Sequence, residues 1–288
     1  MAGILITGAK GQLGNEITEL SKQYYGYDFT FTDIDTLDIS NPAATSEFIK
    51  NLKPDWIVNC AAYNLVDKAE NDPEAAMLIN SISVKNIAEA ISGTDCRFIH
   101  VSSDYVYSGT SSVPYNEDVL PDPQSAYGRS KLAGEKHALV HPGSMIIRTS
   151  WLYSSFGNNF VKTMLRLGSE KDSLRVVFDQ TGSPTYAADL ADTIMKIISG
   201  VIRNQYPFKA GIYNYSNEGV CSWFDFATEI MNETKLNSKV IPVLSRDFQQ
   251  AAKRPSYSVM DKNKIKENYN ITIPHWRTSL IKCLKIIK

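Results

Sequence analysis

Histidine and cysteine are scarce in this chain, and each shortage removes a class of chemistry. The 288 residues carry 4 His and 4 Cys. The cysteines, Cys60, Cys96, Cys221 and Cys283, share no C-x-x-C spacing, so no metal site is expected. Cysteine this thinly spread suits a reducing compartment rather than a disulfide framework. An excess of charge of one sign is missing too. The 30 Lys and Arg against 31 Asp and Glu leave a net charge of −1, which argues against a nucleic-acid partner, because that needs a basic face. No run nears the roughly 18 apolar residues of a membrane span. The start, Met1-Ala2-Gly3-Ile4-Leu5-Ile6-Thr7-Gly8, lacks the basic and long apolar regions of an export signal. Lys262, Lys282, Lys285 and Lys288 are too dispersed to form a membrane-binding face. The expectation is a cytoplasmic protein without membrane contact.

What is present is a chain long enough to bury most of its apolar surface without staples. Its first half alternates short β-rich runs with helical patterns. The strands read as Ile4–Thr7, Phe29–Thr32, Trp56–Asn59, Phe98–Val101 and Met145–Arg148. The helices between them read as 12–23, 42–52, 73–91 and 125–140. Pro42 and Pro73 suit a first helical turn behind Asn41 and Asp72. Such alternation implies right-handed βαβ units and a parallel sheet. Leu174–Phe178 adds a further strand, and Cys60 reads as a small core residue. After about Gln180 the alternation breaks. A turn-rich connector (182–186) leads to a helix (187–198), a strand (212–215), a helix (223–234), a strand (239–243) and a closing helix from His275. The fold class is therefore α/β: a Rossmann-type doubly wound parallel sheet with a smaller, interleaved C-terminal substrate-binding lobe. Residues 1–150 form the dinucleotide-binding part, with pieces of 174–215 packing back onto it, and 151–288 form mainly the lobe.

The first strand runs straight into Gly8-Ala9-Lys10-Gly11-Gln12-Leu13-Gly14 and then a helix. Glycines let a backbone turn tightly and approach a pyrophosphate, while the helix start offers free N–H groups and a positive dipole end. The spacing is G-x-x-G-x-x-G rather than G-x-G-x-x-G, and a tight turn without ligand is the competing reading. Asp33, at the end of the second strand, is placed to accept from ribose hydroxyls and to repel a 2′-phosphate. No Lys or Arg lies between Asp33 and Asn41, so NADH is expected to be preferred over NADPH, with both usable. A solvated loop acid is the alternative for Asp33.

Tyr127 and Lys131 are four residues apart and would share a helix face. An ammonium beside a phenol lowers the phenol's pKa and makes it a usable general acid. The strand Phe98-Ile99-His100-Val101-Ser102-Ser103 ends in two hydroxyls. Strand carboxyl ends are where open α/β sheets bind ligands, so Ser103 is placed to hydrogen-bond a carbonyl. His100 reads as a satisfied core histidine.

Taken in order, the glycine loop, Ser103 and the Tyr127/Lys131 pair resemble the extended short-chain dehydrogenase/reductase superfamily, and within it the dTDP-4-dehydrorhamnose reductase family. The same resemblance runs through 58–63, Val66-Asp67-Lys68-Ala69-Glu70, 100–107, 148–153, 179–185, 189–191 and Arg254-Pro255. It implies NAD(P)H-dependent reduction of the C4 carbonyl of a dTDP-4-dehydro-6-deoxysugar, with Tyr127 as proton donor. Lys131 would tune Tyr127 and hold the nicotinamide ribose, Ser103 would orient the carbonyl, and Asn80 would match an asparagine of a proton relay. Gly8, Gly11, Gln12, Leu13, Gly14, Asp33, Asp38, Ile39, Ala61, Ala62 and Tyr63 would line the cofactor. Ser103, Asp104, Tyr105, Trp151 and Arg254 would meet the sugar nucleotide, Arg254 at its diphosphate. For Trp151 core packing is the competing reading, and for Arg254 a solvated loop position. A homodimer stays open.

The chain also departs from that pattern. Ser103 stands where the family usually has Thr, which keeps the hydroxyl but loses a methyl that restrains χ1. Ile34 replaces a frequent basic residue, in line with NADH. The tail 282–288 has no glutamate, so a metal at a subunit contact is not carried over. Two alternatives remain. One is another sugar-nucleotide enzyme; a 4,6-dehydratase is disfavoured because Asp104 is followed by Tyr105 instead of Glu, whereas an epimerase stays open. The other is a non-catalytic dinucleotide-binding regulatory subunit resembling the β-subunit of methionine adenosyltransferase.

Overall fold

The computed structural model describes residues 1–248 and 250–287; Lys288 of the basic tail lies outside them. The first half alternates as expected: β1 (Ala2–Thr7), α1 (Gln12–Ser21), β2 (Tyr27–Thr32), α2 (Pro42–Leu52) and β3 (Trp56–Asn59). Then come three helices, α3 (Val66–Asn71), α4 (Pro73–Met77) and α5 (Ser83–Ala90), followed by β4 (Arg97–Ser103), α6 (Ala126–Ala138) and β5 (Ser144–Thr149). Beyond these lie β6 (Leu152–Tyr153), α7 (Phe160–Glu170), β7 (Ser173–Val177), β8 (Thr181–Gly182), β9 (Thr185–Tyr186) and α8 (Ala187–Ile202). The chain continues through β10 (Gly211–Tyr215), β11 (Cys221–Ser222), α9 (Trp223–Thr234), β12 (Lys239–Val243), α10 (Asn263–Tyr269) and α11 (Trp276–Ile286). Among the described residues no helix is long and apolar enough to cross a membrane.

Six strands pair in the order β10-β5-β4-β3-β1-β2, all parallel. Their residues are apolar on both faces because helices cover both. Ile4, Ile6, Val58, Ile99 and Ile147 meet one layer, with Ile17 of α1 and Leu190, Ile194 and Ile198 of α8. Leu5, Ile57, Phe98 and Ile146 meet the other, with Ile49 of α2 and Val84 and Ile87 of α5. The order reverses between β1 and β3, the crevice where such sheets bind ligands. A separate cluster of Val161, Met164, Leu174, Phe226, Ile230, Trp276 and Leu280 packs α7, α9 and α11 together.

Two sequence expectations change. A strand does form there, as β7 over Ser173–Val177, but it pairs with β12 in its own two-stranded sheet. The edge of the central sheet goes to β10 instead. The helix expected over 73–91 is broken by a π-helical turn at Leu78–Ile82. There the buried Asn80 turns its amide to the backbone of Tyr63, accepting from its N–H at 2.9 Å and donating to its carbonyl at 3.0 Å. Such single π-turns occur mostly as bulges inside α-helices, and this one coincides with the outward bonding of Asn80.

The helix α6 is fixed to the sheet by one buried ion pair. Glu135 accepts from Arg148 Nε at 2.9 Å and Nη2 at 2.7 Å, and from Ser102 Oγ at 2.5 Å. Both charged side chains are 1% exposed. Arg148 also donates to the Tyr107 hydroxyl at 3.0 Å, which in turn donates to Asn214 Oδ1 at 2.9 Å. Arg148→Met would strand the Glu135 carboxylate, and a loss of about 3–5 kcal/mol is expected. Urea unfolding measures it. A loss below about 1 kcal/mol would show that the pair carries no such weight, and the double variant with Glu135→Leu should be less damaged than the single one.

Candidate active site

The glycine loop closes around the end of β1 because its glycines leave no room for side chains. A Cβ on Gly8, whose φ is +68°, would lie 2.5 Å from Ala61 N, and one on Gly14 would lie 2.3 Å from the Gly8 carbonyl. The first contact seats the loop against the end of β3; the second lets α1 start tight on the loop. A buried polar chain ties the neighbouring strand ends. Thr7 Oγ1 donates to Asn59 Oδ1 at 2.7 Å, and Asn59 Nδ2 meets His100 Nδ1 at 3.1 Å. His100 is only half satisfied, since its Nε2 has no partner among the described residues; burial holds its pKa well below the usual value.

A cavity of about 770 Å³ opens over these strand ends, within the usual size for a small-molecule site. It brings together Gly8, Gly11, Gln12, Leu13, Asp33, Asp38, Ile39, Ala61, Ala62, Tyr63, Ser103, Asp104, Tyr105, Tyr127, Lys131 and Trp151. The carboxylate of Asp33 accepts from Lys10 N and Ile34 N, both at 2.8 Å. Each of its oxygens keeps lone-pair capacity for a further donor. Asp38 is engaged locally, accepting from Ser40 N at 2.9 Å and Ser40 Oγ at 2.7 Å.

Tyr127 and Lys131 lie on the inner face of α6, which Ser125 caps by accepting from Gly128 N at 3.0 Å. The Tyr127 hydroxyl donates to Asn64 Oδ1 at 3.4 Å, and its ring stands edge-on to Tyr105 with centroids 5.4 Å apart. The Lys131 ammonium donates to the Val101 carbonyl at 2.7 Å. The electrostatics differ from the sequence reading. Burial drives the Tyr127 phenol above its ordinary value, with the Ser103 hydroxyl opposing it; Lys131 is not among the groups that lower it. Burial also brings Lys131 down to about 8, against the pull of Glu135. Both groups are thus biased toward neutrality by the same dry surroundings.

Ser103 Oγ donates to Asp104 Oδ1 at 2.9 Å and accepts from Tyr105 N at 3.2 Å. Asp104 is buried, and its Oδ2 has no hydrogen bond among the described residues. Burial pushes its carboxyl up to about 6, offset in part by the hydroxyls of Ser103 and nearby Ser258. Trp151 packs against the cluster of α7, α9 and α11, as its core reading expects. It borders the cavity, and its indole stacks on Trp223 with centroids 3.6 Å apart and planes 8° apart. Its backbone sits at φ +48°, a left-handed position that bulky residues seldom adopt.

Three expected site residues do not border the cavity: Gly14, Asn80 and Arg254. Gly14 acts through packing. Asn80 is wholly buried, and besides Tyr63 its amide donates to Ser130 Oγ at 2.9 Å, which donates to the Tyr127 carbonyl at 2.7 Å. Arg254 pairs with Asp67 and donates to the Tyr105 hydroxyl at 2.9 Å. Its guanidinium is committed to these partners and is not a solvated loop group. Cys60 packs against the main core cluster, as its apolar run suggests, and also reaches the cavity wall, its thiol pushed up to about 12 by burial. The loop 154–159 was missed by sequence reasoning. It crosses the glycine loop, with Asn159 Nδ2 donating to Gln12 Oε1 at 3.0 Å, and its signal is the left-handed Gly157 beside the Gln12 side chain.

Comparisons with known proteins agree along the whole length. A family model described as the RmlD substrate binding domain matches residues 1–288. The spore coat polysaccharide biosynthesis protein SpsK of Bacillus subtilis is 40% identical over 281 residues, covering 97% of this chain and 96% of that one. A dTDP-4-dehydrorhamnose reductase of Aggregatibacter actinomycetemcomitans is 39% identical, covering 97% of each chain. The crystal structure of a dTDP-4-dehydrorhamnose reductase from Bacillus anthracis in complex with NADP superposes with a TM-score of 0.93 at 39% identity, covering 99% of each chain.

Asp104 generates a pH prediction. Its pKa rises from 3.8 to about 6 in the fold, so folding favours the protonated acid. The associated stability is present below the unfolded value and is lost as pH rises through about 6. Asp104→Asn is expected to flatten this decline, so that the unfolding free energies of variant and parent from denaturant titration diverge between pH 4 and 6.5 by roughly 1–3 kcal/mol. Parallel curves across that window would place the ionisation elsewhere.

Proposed function

The chain belongs to the RmlD substrate-binding-domain family of dTDP-4-dehydrorhamnose reductases, and from that membership we infer that it reduces the C4 carbonyl of dTDP-4-dehydrorhamnose to give dTDP-L-rhamnose, using a nicotinamide dinucleotide. The observation that carries the reading is the convergence of Tyr127, Lys131 and Ser103 on one cavity floored by the glycine loop. That cavity fits the cofactor. The glycine loop is a cradle that any Cβ at Gly8 would fill, and the start of α1 beyond it suits a pyrophosphate.

When bound, the dinucleotide supplies hydride for C4. The chain supplies the rest. Tyr127 gives the proton that the C4 oxygen needs. Ser103, at the strand end, turns its hydroxyl from Asp104 to the same oxygen and orients the carbonyl. Lys131, anchored on the Val101 carbonyl, holds the ribose and places positive charge where the phenol loses its proton. Asn80 and Ser130 steady the turn of α6 that carries Tyr127. Gly8, Gly11, Gln12 and Leu13 hold the pyrophosphate side, Asp33, Asp38 and Ile39 the adenosine, and Ala61, Ala62 and Tyr63 the middle of the dinucleotide. Asp104, Tyr105 and Trp151 face the sugar nucleotide, and Arg254, kept beside Tyr105, meets its diphosphate. In this reading residues 1–150, with parts of 174–215, bind the dinucleotide, and 151–288 mainly bind the substrate.

The test is loss of NADH with dTDP-4-dehydro-6-deoxy-L-mannose made in situ, run beside Tyr127→Phe. Removing the proton donor is expected to lower kcat at least about 100-fold. Because Lys131 is charged below about 8 and neutral above it, kcat/KM is expected to fall on the alkaline side of that value. No NADH loss by the parent protein, with dinucleotide binding intact, would discard the substrate assignment and bring the epimerase and regulatory readings to the front.

On the dinucleotide itself, Asp33 favours NADH over NADPH by repelling a 2′-phosphate. Lys10 opposes it weakly, because its ammonium is tied to Asp35 at 2.5 Å. Equilibrium titration is expected to show tighter NADH binding, and Asp33→Asn should narrow the gap by about tenfold, the effect of roughly 1.4 kcal/mol. Equal affinities in the parent protein would remove Asp33 from this role.

A further inference from the structure

The segment Val66-Asp67-Lys68-Ala69-Glu70 has no part in the chemistry above, yet its two acids join the flanks of the cavity. Asp67 and Glu70 are three residues apart on α3 and so lie on one face. Glu70 Oε1 accepts from the backbone N–H of Ala126 at 2.8 Å, the first residue of α6. That N–H is one of those a helix start leaves without an internal partner, and a carboxylate there also meets the positive end of the dipole. The next residue is Tyr127.

Asp67 reaches the opposite flank. Its Oδ1 accepts from Ala252 N at 3.0 Å and its Oδ2 from Arg254. Arg254 donates to Tyr105, whose ring packs edge-on to Tyr127. The contacts therefore close a ring, from α3 through Arg254, Tyr105 and Tyr127 back to α6 and Glu70. Ala69, between the two acids, is fully buried in a cluster with Ala126 and Tyr127, so α3 is seated against α6.

We propose that Asp67 and Glu70 are positioning residues for the reduction: Glu70 sets the place of Tyr127 through the start of α6, and Asp67 holds the 252–254 segment and Arg254 on the substrate side. The proposal rests on the reductase reading. It differs from a role in stability alone, because each acid serves a different flank and should move a different kinetic constant.

The experiment uses the full chain with Glu70→Ala, Glu70→Gln and Asp67→Asn. It measures kcat and KM for the in situ sugar nucleotide, the NADH dissociation constant and the melting temperature. Glu70→Ala is expected to lower kcat about tenfold with NADH affinity unchanged, since a shift of about 1 Å in a reacting group can cost up to about 100-fold. Glu70→Gln, whose amide oxygen still accepts from Ala126 N, should recover most of that loss. Asp67→Asn should raise KM for the sugar nucleotide about tenfold, the scale of one lost charged hydrogen bond, and more than it lowers kcat. Kinetic constants equal to the parent's would overturn the proposal. So would changes in kcat and KM that move together with melting temperature in all three variants. If the parent protein itself leaves NADH unconsumed, the reductase reading fails and this inference with it; an active parent with unaffected variants sinks the inference alone.

Discussion

Glu135 and Arg148 determine where α6 can lie. Both charges are withdrawn from water, so each must find the other, and the forked guanidinium accepts only one arrangement of the carboxylate. The pair also absorbs Ser102 from β4 and, through Tyr107, Asn214 from β10. Three neighbouring strands and one helix thereby share a single buried network. Tyr127, Lys131 and Glu135 follow one another at four-residue spacing, so they line one stripe of α6. The deep end of the stripe is locked into the sheet and the shallow end meets the cavity. A fully satisfied buried network is rigid in the way a reacting group requires.

The same dryness governs the chemistry at the shallow end. Burial acts on the phenol, the ammonium and the Asp104 carboxyl alike, and each drifts toward its neutral form. In such surroundings a small rearrangement of charge on binding has a large effect on proton affinity. Burial outweighs the fixed neighbours at these groups, a balance that the spacing of Tyr127 and Lys131 does not reveal.

Local signals were legible wherever the physics is local. α2 begins at Pro42 behind an Asn41 side chain that caps Ala44 N, and it spans the residues its pattern predicts. β3, α9 and β12 do likewise. The glycine loop was legible because only glycine tolerates its close approaches, and Ser103, Tyr127 and Lys131 because they sit at a strand end and on one helix face. What stayed hidden depends on distant partners. The π-helical turn at Asn80 answers to Tyr63, the pairing of β7 answers to β12, and the place of Arg254 answers to Asp67. Periodicity carries no information about such partners. Cys60 is a related case: it packs against the core as its apolar run implies, but β3 ends at Asn59, so it also borders the cavity.

The order of strands has a bearing on how the chain is made. β10 completes the central sheet beside β5, yet α7, β7 and α8 lie between them in sequence. During synthesis from the N-terminus, β5 therefore emerges as an exposed edge, with Arg148 lacking the Asn214 end of its network, until Tyr215 has left the ribosome. An open edge of a hydrophobic parallel sheet is a template for wrong pairing. The nascent chain thus passes through an interval in which its best-formed half is also its most adhesive.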